Sequence, residues 1–491
     1  MVSRRRVLVV ALVAALFGAG GLALLATAGG DSTPRRVVAG GVPLYEVHPV
    51  GLRPGERRPG VVVAHGYAGS AKLMAQFGDT LAARGYVVVL LDFAGHGANS
   101  EPRQGSEALQ GELGVAVAHL RGLRDVDADR VALVGHSMGA GAVTEYAGAH
   151  PDIAATVAIS LPAVPVGRPA RLLLLVGQAE FPGFRETAAE TAGRVAGSET
   201  VAVPGVEHIS ILYSPRTHRE MVAWLDQSFG GPLTQRAVPW PLHRLAGAGL
   251  LFLGFLLGLY PVARLLLGRR DRPSRVRFQP GQLVPIAAAA LVAALVAAVV
   301  PTAWFPLDSG DYAVAFTFAF GALLLAYQLV VGPRLFAGAS LTDQPGERAT
   351  PVGRRVAAAV ALVAYAAVTI VVPLQLGFTH VVPVGARWWL LPVVWAGFAL
   401  LSYAGERISG GSTLGLLAVS AVTVVALTGA ATLGLTNGFL LLVVPLLAVL
   451  LVLQAGWSAA LNRLGAPVWL IAVVGSLVVA WPIAATLPVT A

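Results

Sequence analysis

The chain has 491 residues, of which 56% are hydrophobic and only 12% are charged, and this composition excludes an ordinary soluble globular protein. It contains no Cys, which excludes disulfides, thiolate chemistry and Cys-based metal sites. The net charge of +9 does not indicate a nucleic-acid partner: residues 30–240 hold 18 basic and 20 acidic residues, and the excess of Arg lies beside apolar segments, where it acts as a topology signal.

An apolar segment opens the chain. Arg4, Arg5 and Arg6 precede an uninterrupted apolar stretch over residues 7–28, which is long enough to cross a bilayer as a helix. Residues 26–28, Ala-Thr-Ala, resemble a small-residue cleavage site, so a removed signal peptide is one alternative. Apolar regions of secretory signals usually run only ~7–15 residues. The length therefore favours a retained transmembrane signal-anchor over residues 1–29.

From residue 30 to residue 232 the pattern changes to short β-branched runs that alternate with helical segments. This alternation predicts an α/β domain with a mostly parallel sheet and flanking helices. The predicted strands are 61–64, 86–91, 130–134, 155–160, 171–176 and 200–203. The predicted helices are 70–84, 106–123, 138–150, 184–196 and 215–229. A Gly-Gly-Pro turn at 230–232 then leads into a Pro-containing linker at 233–242.

Residues 243–491 form a series of apolar spans, which predicts an all-α polytopic membrane domain of about eight helices. The spans are 243–267, 283–303, 312–333, 356–376, 387–404, 412–434, 438–456 and 467–487. If the N-terminus is cytoplasmic, most Arg residues of the loops lie inside, and few basic residues besides Arg387 lie outside. Because inner loops of membrane proteins carry an excess of basic residues, this distribution predicts a multi-pass cell-membrane protein with the α/β domain on the extracytoplasmic side. The inner basic residues include Arg269, Arg270, Arg272, Arg275, Arg277, Arg334, Arg348, Arg354, Arg355, Arg407 and Arg463.

A G-x-S-x-G motif places Ser137 between Gly135 and Gly139. The motif alone is weak, but it directly follows the predicted strand 130–134 and opens the predicted helix 138–150, which is the strand-turn-helix context of a nucleophile elbow. Small flanking residues are needed because a side chain there would collide with neighbouring backbone. The turn lifts the Ser137 hydroxyl clear of the sheet and aims the backbone N–H of Met138 at a developing oxyanion.

Together with VVVAHGY at 61–67 and DFAGHG at 92–97, this motif resembles the α/β-hydrolase superfamily over about residues 37–229. The resemblance implies an α/β-hydrolase fold and a second oxyanion donor at the backbone N–H of Tyr67. It gives His65 a structural role beneath that loop, and it gives Asp92 and His96 a role in shaping the next loop. Each oxyanion donor is typically worth ~10²–10³ in rate.

A serine hydroxyl needs an imidazole to take its proton and a carboxylate to orient that imidazole. The chain order of this fold is Ser, acid, His. His208 follows the last predicted strand, where the family places its base; His218 lies inside a helix and His243 near the membrane. Glu180 follows strand 171–176 and resembles the acid position, with Glu in place of the usual Asp. The alternatives are a surface histidine at 208 and a solvated charge at 180.

About ten residues separate the strands ending at 160 and beginning at 171, so no lid insertion is expected. The sequence predicts a membrane-anchored serine hydrolase that cleaves small-molecule or lipid-like esters through an acyl-enzyme, without cofactor or metal. A peptidase or amidase with the same triad is one alternative. Another is a transport or assembly protein with a non-catalytic hydrolase-like domain. The bilayer is the expected environment, and no protein partner of the membrane region is indicated.

Overall fold

A computed structural model describes residues 4–30, 32, 34–268, 278–300, 304–335 and 352–491. They form two compact units. The sheet unit comprises Ala19–Leu251, Pro373–Gly385 and Pro488–Ala491, and the helical unit comprises Met1–Gly18, Phe252–Val372 and Ala386–Leu487. The predicted domain boundaries at residues 30, 233 and 243 stay predictions.

The described part of the sheet unit is built on one sheet of eight strands in the order β1-β2-β4-β3-β5-β6-β7-β8. From β4 to β8 all neighbouring strands are parallel, so the mostly parallel sheet that the sequence predicts is confirmed. The strands are β1 Arg35–Ala39, β2 Val42–Val47, β3 Arg58–Ala64, β4 Val87–Leu91, β5 Val126–His136, β6 Ala155–Ile159, β7 Leu172–Gly177 and β8 Glu199–Val203.

Both faces of the central strands are buried. Along β3, Val61 and Val63 pack into one apolar cluster, and Val62 packs into the other, because side chains alternate between the faces of a strand. Helices cover both faces, so these strands appear in the sequence as continuous apolar runs. The helices of this region are α2 Ala75–Ala83, α3 Ser106–Gly122, α4 Met138–Ala149, α5 Pro182–Arg194 and α6 Pro215–Ser228, with a 3-10 turn at Ala71–Met74 before α2.

An antiparallel hairpin at one edge of the sheet was missed by the sequence analysis. Strands β1 and β2 pair around Gly40 and Gly41, whose φ angles of 50° and 82° suit a tight hairpin turn. The strand β2 then pairs antiparallel with β4. The hairpin extends the sheet on the side away from β8.

Long apolar helices make up most of the remaining described residues. Within the described ranges, nine helices are long and apolar enough to cross a membrane, as the sequence predicts. They are α1 Arg4–Thr27, α7 His243–Leu267, α8 Leu283–Val299, α9 Asp311–Leu335, α10 Val352–Gly377, α11 Arg387–Ser409, α12 Thr413–Thr432, α13 Leu440–Arg463 and α14 Val468–Thr486. The end of the predicted span 283–303 and five of the topology-bearing Arg, at 269–277, lie outside the described residues, as does Arg348. The sidedness of the chain stays a prediction.

His218 of α6 is fully buried and has partners for both ring nitrogens. Its Nε2–H donates to the carbonyl of Leu212 at 3.0 Å, and its Nδ1 accepts from the Thr80 hydroxyl at 2.8 Å. Burial lowers the pKa of His218 to about 4. The folded protein therefore keeps this imidazole neutral at pH values where the unfolded chain protonates it.

We predict that His218 makes the fold acid-sensitive. Between pH 6.5 and pH 4 the unfolded state binds more protons than the folded state at this position, so stability falls as the pH falls, by at most about 3 kcal/mol for this group. In His218→Gln, an amide replaces the titrating ring. Thermal unfolding of both proteins in the same detergent should show the stability advantage of the wild type shrinking as the pH is lowered from 7 to 4. A gap that stays constant with pH would contradict this.

Candidate active site

Ser137 occupies a strained turn between β5, which ends at His136, and α4, which begins at Met138. Its φ of 52° lies in the left-handed region, where residues other than Gly are rare. A Cβ built on Gly135 would lie 2.2 Å from the carbonyl oxygen of Gly139, and one built on Gly139 would lie 2.5 Å from the carbonyl oxygen of Ala64. Strand, turn and helix therefore approach so closely that only Gly fits at both positions.

The imidazole of His208 lies beside the Ser137 hydroxyl. His208 stands in the loop that follows β8 and is only 3% exposed. The hydroxyl of Ser137 donates to Nε2 of His208 at 3.1 Å, and the Nδ1–H of His208 donates to Oε1 of Glu180 at 2.6 Å. This tautomer leaves Nε2 as the acceptor, which is what a base needs in order to take the serine proton.

The carboxylate of Glu180 is buried, three residues after the end of β7. Its Oε2 accepts a hydrogen bond of 2.7 Å from the hydroxyl of Ser160, while its Oε1 faces His208. A carboxylate away from water needs such partners, because an unpaired buried charge is costly. The structure thus brings Ser137, His208 and Glu180 into one relay.

Two backbone segments border Ser137 at the positions expected for oxyanion donors. Met138 begins α4, and the first N–H groups of a helix have no partner within the helix. The loop of Tyr67 lies against the nucleophile, since a Cβ on Gly66 would come within 3.1 Å of the Ser137 Cβ. The ring of His65 supports this loop by donating from Nδ1 to the Gly66 carbonyl at 2.7 Å.

The supporting residues His65 and Asp92 are buried and hydrogen-bonded to the backbone. His65 Nε2 accepts the N–H of Phe93 at 3.1 Å, and burial lowers the pKa of His65 to about 4, so the ring stays neutral. Asp92 accepts the N–H groups of Ala71 and Ala98, at 2.7 and 2.9 Å. Burial nevertheless raises the pKa of Asp92 to about 6. These contacts shape the loops beside the site.

Two contributors were missed by the sequence analysis. Ser160, which holds Glu180, directly follows β6 and has a φ of 52°. His136 donates from Nε2 to the carbonyl of His208 at 2.9 Å and so supports the loop of the base. Burial, and then the nearby His208, lower the pKa of His136 to about 3. A signal did exist for Ser160: it ends a predicted parallel strand at the same edge of the sheet as Ser137.

Among the described residues, no group of three or more His, Cys, Asp or Glu side chains is placed to hold a metal ion. Residues 160–171, between β6 and β7, contain neither helix nor strand, so the chain has no lid insertion at this point.

Comparison with known proteins supports the fold of this region. The model of the family described as serine aminopeptidase, S33, matches residues 55–223. The sheet unit therefore contains a domain with an α/β-hydrolase fold, hereafter the hydrolase domain. The chain is 31% identical over 102 residues to cutinase est1 of Thermobifida alba and 30% identical over 102 residues to cutinase 2 of Thermobifida cellulosilytica, each match covering 20% of this chain. The chain spans only 34% and 38% of the length of these two relatives.

Solved structures also resemble part of the chain. A predicted CIB-like hydrolase from Thermoplasma acidophilum is 19% identical, with a TM-score of 0.34, and the match covers 40% of this chain and 98% of that one. A hypothetical protein from Pseudomonas aeruginosa is 13% identical, with a TM-score of 0.35, and the match covers 40% of this chain and 94% of that one.

We predict opposite effects for two neighbouring glycines of α4. Gly139→Ala forces a Cβ against the carbonyls of Ala64 and His65 and should destabilise the protein by about 1–3 kcal/mol or more. Gly141→Ala places its Cβ 3.7 Å from Pro162, an ordinary contact, and should stabilise the helix by up to about 1 kcal/mol. Chemical denaturation of both variants measures the two changes. Equal effects would show that the elbow does not require Gly.

Proposed function

We propose that this protein is a membrane-anchored serine hydrolase that cleaves carboxylic esters through an acyl-enzyme, with Ser137 as nucleophile, His208 as base and Glu180 as orienting acid. The observation that carries the proposal is the continuous hydrogen-bonded relay of these three side chains, with distances of 3.1 and 2.6 Å. A serine hydroxyl is a poor nucleophile unless such a base takes its proton during attack.

The proposed reaction assigns a side chain or a backbone N–H to each step. Ser137 Oγ attacks the ester carbonyl while its proton passes to Nε2 of His208, and the charge of Glu180 stabilises the imidazolium. The backbone N–H groups of Tyr67 and Met138 stabilise the oxyanion. When the C–O bond breaks, the proton on Nε2 goes to the leaving alcohol. Water, deprotonated by the same imidazole, then attacks the acyl carbonyl; the bond to Ser137 Oγ breaks, His208 returns the proton to Oγ, and the acid is released.

Esters are the favoured substrate class because the relatives that match 102 residues of the chain at about 30% identity are named cutinases. The description of the matching family as serine aminopeptidase favours a second candidate, cleavage of amides or peptides by the same triad. The two differ in the leaving group, an alcohol or an amine. Rates on matched p-nitrophenyl esters and aminoacyl p-nitroanilides separate them.

We also place the hydrolase domain on the extracytoplasmic side of the cell membrane. The support is the distribution of Arg in the sequence, with Arg4, Arg5 and Arg6 at the start of α1 and further Arg in alternate loops. Small-molecule or lipid-like esters would then reach Ser137 from outside the cell or from the bilayer surface.

We predict that a membrane-impermeant fluorophosphonate labels the wild type in intact cells, because an activated serine attacks phosphorus as it attacks a carbonyl. Ser137→Ala should not be labelled. Labelling in lysed cells only would place the domain on the inner side, and equal labelling of both proteins would exclude Ser137 as nucleophile.

We predict that Glu180→Gln lowers kcat about 10³–10⁴-fold with little change in KM, as loss of the orienting carboxylate does in serine proteases. The amide keeps the size of the side chain but removes its charge, and it also changes the hydrogen-bond partner offered to Nδ1 of His208. Surface Glu190, which forms an ion pair with Arg194 in α5, provides a matched control. Glu190→Gln should leave kcat unchanged, whereas equal kcat for Glu180→Gln and wild type would remove Glu180 from the relay.

A further inference from the structure

The loop of Tyr67 is strained. Ala68 has a φ of 57°, a left-handed conformation that costs of order 1 kcal/mol for a residue with a side chain. Such a conformation persists only where surrounding structure imposes it. Within the loop, the N–H of Gly69 donates to the carbonyl of Gly66 at 3.0 Å, and further restraints come from segments distant in the chain.

One restraint comes from residues 373–385, which belong to the sheet unit although they follow α10 in the chain. The fully buried hydroxyl of Ser70, at the end of the Tyr67 loop, accepts the N–H of His380 at 3.2 Å and pairs with the hydroxyl of Thr379 at 2.8 Å. Beside it, Lys72 Nζ donates to the carbonyl of Gln375 at 3.1 Å. One end of the loop is thus tied to this distant segment.

The other restraint comes from residues 488–491, which follow α14 and also belong to the sheet unit. The N–H of Val489 donates to the carbonyl of Gly95 at 3.0 Å, and its carbonyl accepts the N–H of Arg103 at 2.6 Å. The approach is close, because a Cβ on Gly95 would lie 2.5 Å from the Val489 carbonyl oxygen. Val489 is buried and ties together both ends of the loop 95–103.

The loop 95–103 in turn holds the ring of Tyr67. The guanidinium of Arg103 lies over this ring, 5.4 Å from its centroid, and the ring of His96 meets it edge-on at 5.8 Å. A chain of contacts therefore runs from Val489 through the backbone of Arg103 to Tyr67. It ends at the residue whose backbone N–H is the expected oxyanion donor.

We propose that Val489 is a positioning residue, which acts through Arg103 to hold the backbone N–H of Tyr67 where the oxyanion forms, while Thr379 and His380 hold the other end of the loop. This rests on the proposed function. Oxyanion donors act only within a few tenths of an ångström of the correct position, because the charge appears on the substrate oxygen only during attack. Segments that follow the apolar helices thereby set the reactivity of the hydrolase domain.

The test is Val489→Pro in the full-length protein in detergent, since Pro lacks the N–H that donates to Gly95. Thr490→Ala is the control, because it changes a neighbouring side chain and keeps every backbone N–H and carbonyl of the segment. With a p-nitrophenyl ester, Val489→Pro should lower kcat about tenfold, a fraction of the ~10²–10³ expected for complete loss of a donor, and should leave KM within about twofold. Thr490→Ala should stay within about twofold of wild type in both constants.

A second readout reports on the oxyanion itself. A phenylboronic acid forms a tetrahedral adduct with the serine, and one boron oxygen of that adduct occupies the oxyanion position. Its inhibition constant should rise in Val489→Pro by about the same factor as kcat falls. A purely structural role would lower the melting temperature and leave kcat and this constant unchanged, and that result would overturn the proposal.

If Val489→Pro does not fold, Arg103 carries the test. Arg103→Ala removes the cation over the Tyr67 ring and should lower kcat about threefold to tenfold, whereas Arg103→Lys keeps a cation and should recover most of the loss. Equal kcat for Arg103→Ala and wild type would refute the role of Val489 and leave the proposed function unaffected. Failure of the wild type itself to react with fluorophosphonate would refute the proposed function.

Discussion

The parallel direction of the central strands is the constraint on which the site depends. Parallel strands end at a common edge, and ligand sites of such sheets lie beyond that edge. The contributors follow five strands at this edge, and most stand within about three residues of a strand end. They are Tyr67 after β3, Ser137 after β5, Ser160 after β6, Glu180 after β7 and His208 after β8.

Burial of these side chains favours hydrogen bonds between their polar atoms and partners within the protein. Glu180, His136 and His208 are all nearly inaccessible to water, so each polar atom that lacks a protein partner would cost free energy. Glu180 divides its two oxygens between Ser160 and His208. His136 donates to the backbone of His208, so the loop of the base is held at its carbonyl as well as at its ring. The relay is therefore part of a larger polar network in which one change alters several contacts.

The long apolar helices differ from the sheet unit in the side chains that they expose. Large apolar side chains are exposed on their surfaces, for example Leu291, Val425 and Leu446, and helices with apolar exteriors are typical of membrane spans. In the described ranges, nine helices meet the length and hydropathy needed to cross a bilayer. The sheet unit takes two short segments from the chain between and after these helices, and those segments contact the loops beside the site.

The sequence by itself determined the elements that depend on interactions between residues close together in the chain. Apolar runs predicted six parallel strands and nine spans, and the motif around Ser137 predicted the turn, because glycine spacing and strand-to-helix order are short-range features. The edge hairpin β1–β2 was not predicted because β1 begins with Arg35 and Arg36 and β2 contains Pro43 and Glu46, which weaken the strand signal. His136 and Val489 carry no such pattern, and Ser160 carries only its place at the end of a predicted strand. Their roles depend on hydrogen bonds between residues that lie far apart in the chain, up to nearly 400 positions in the case of Val489, and only the packing of the tertiary structure brings those atoms within 3 Å of one another.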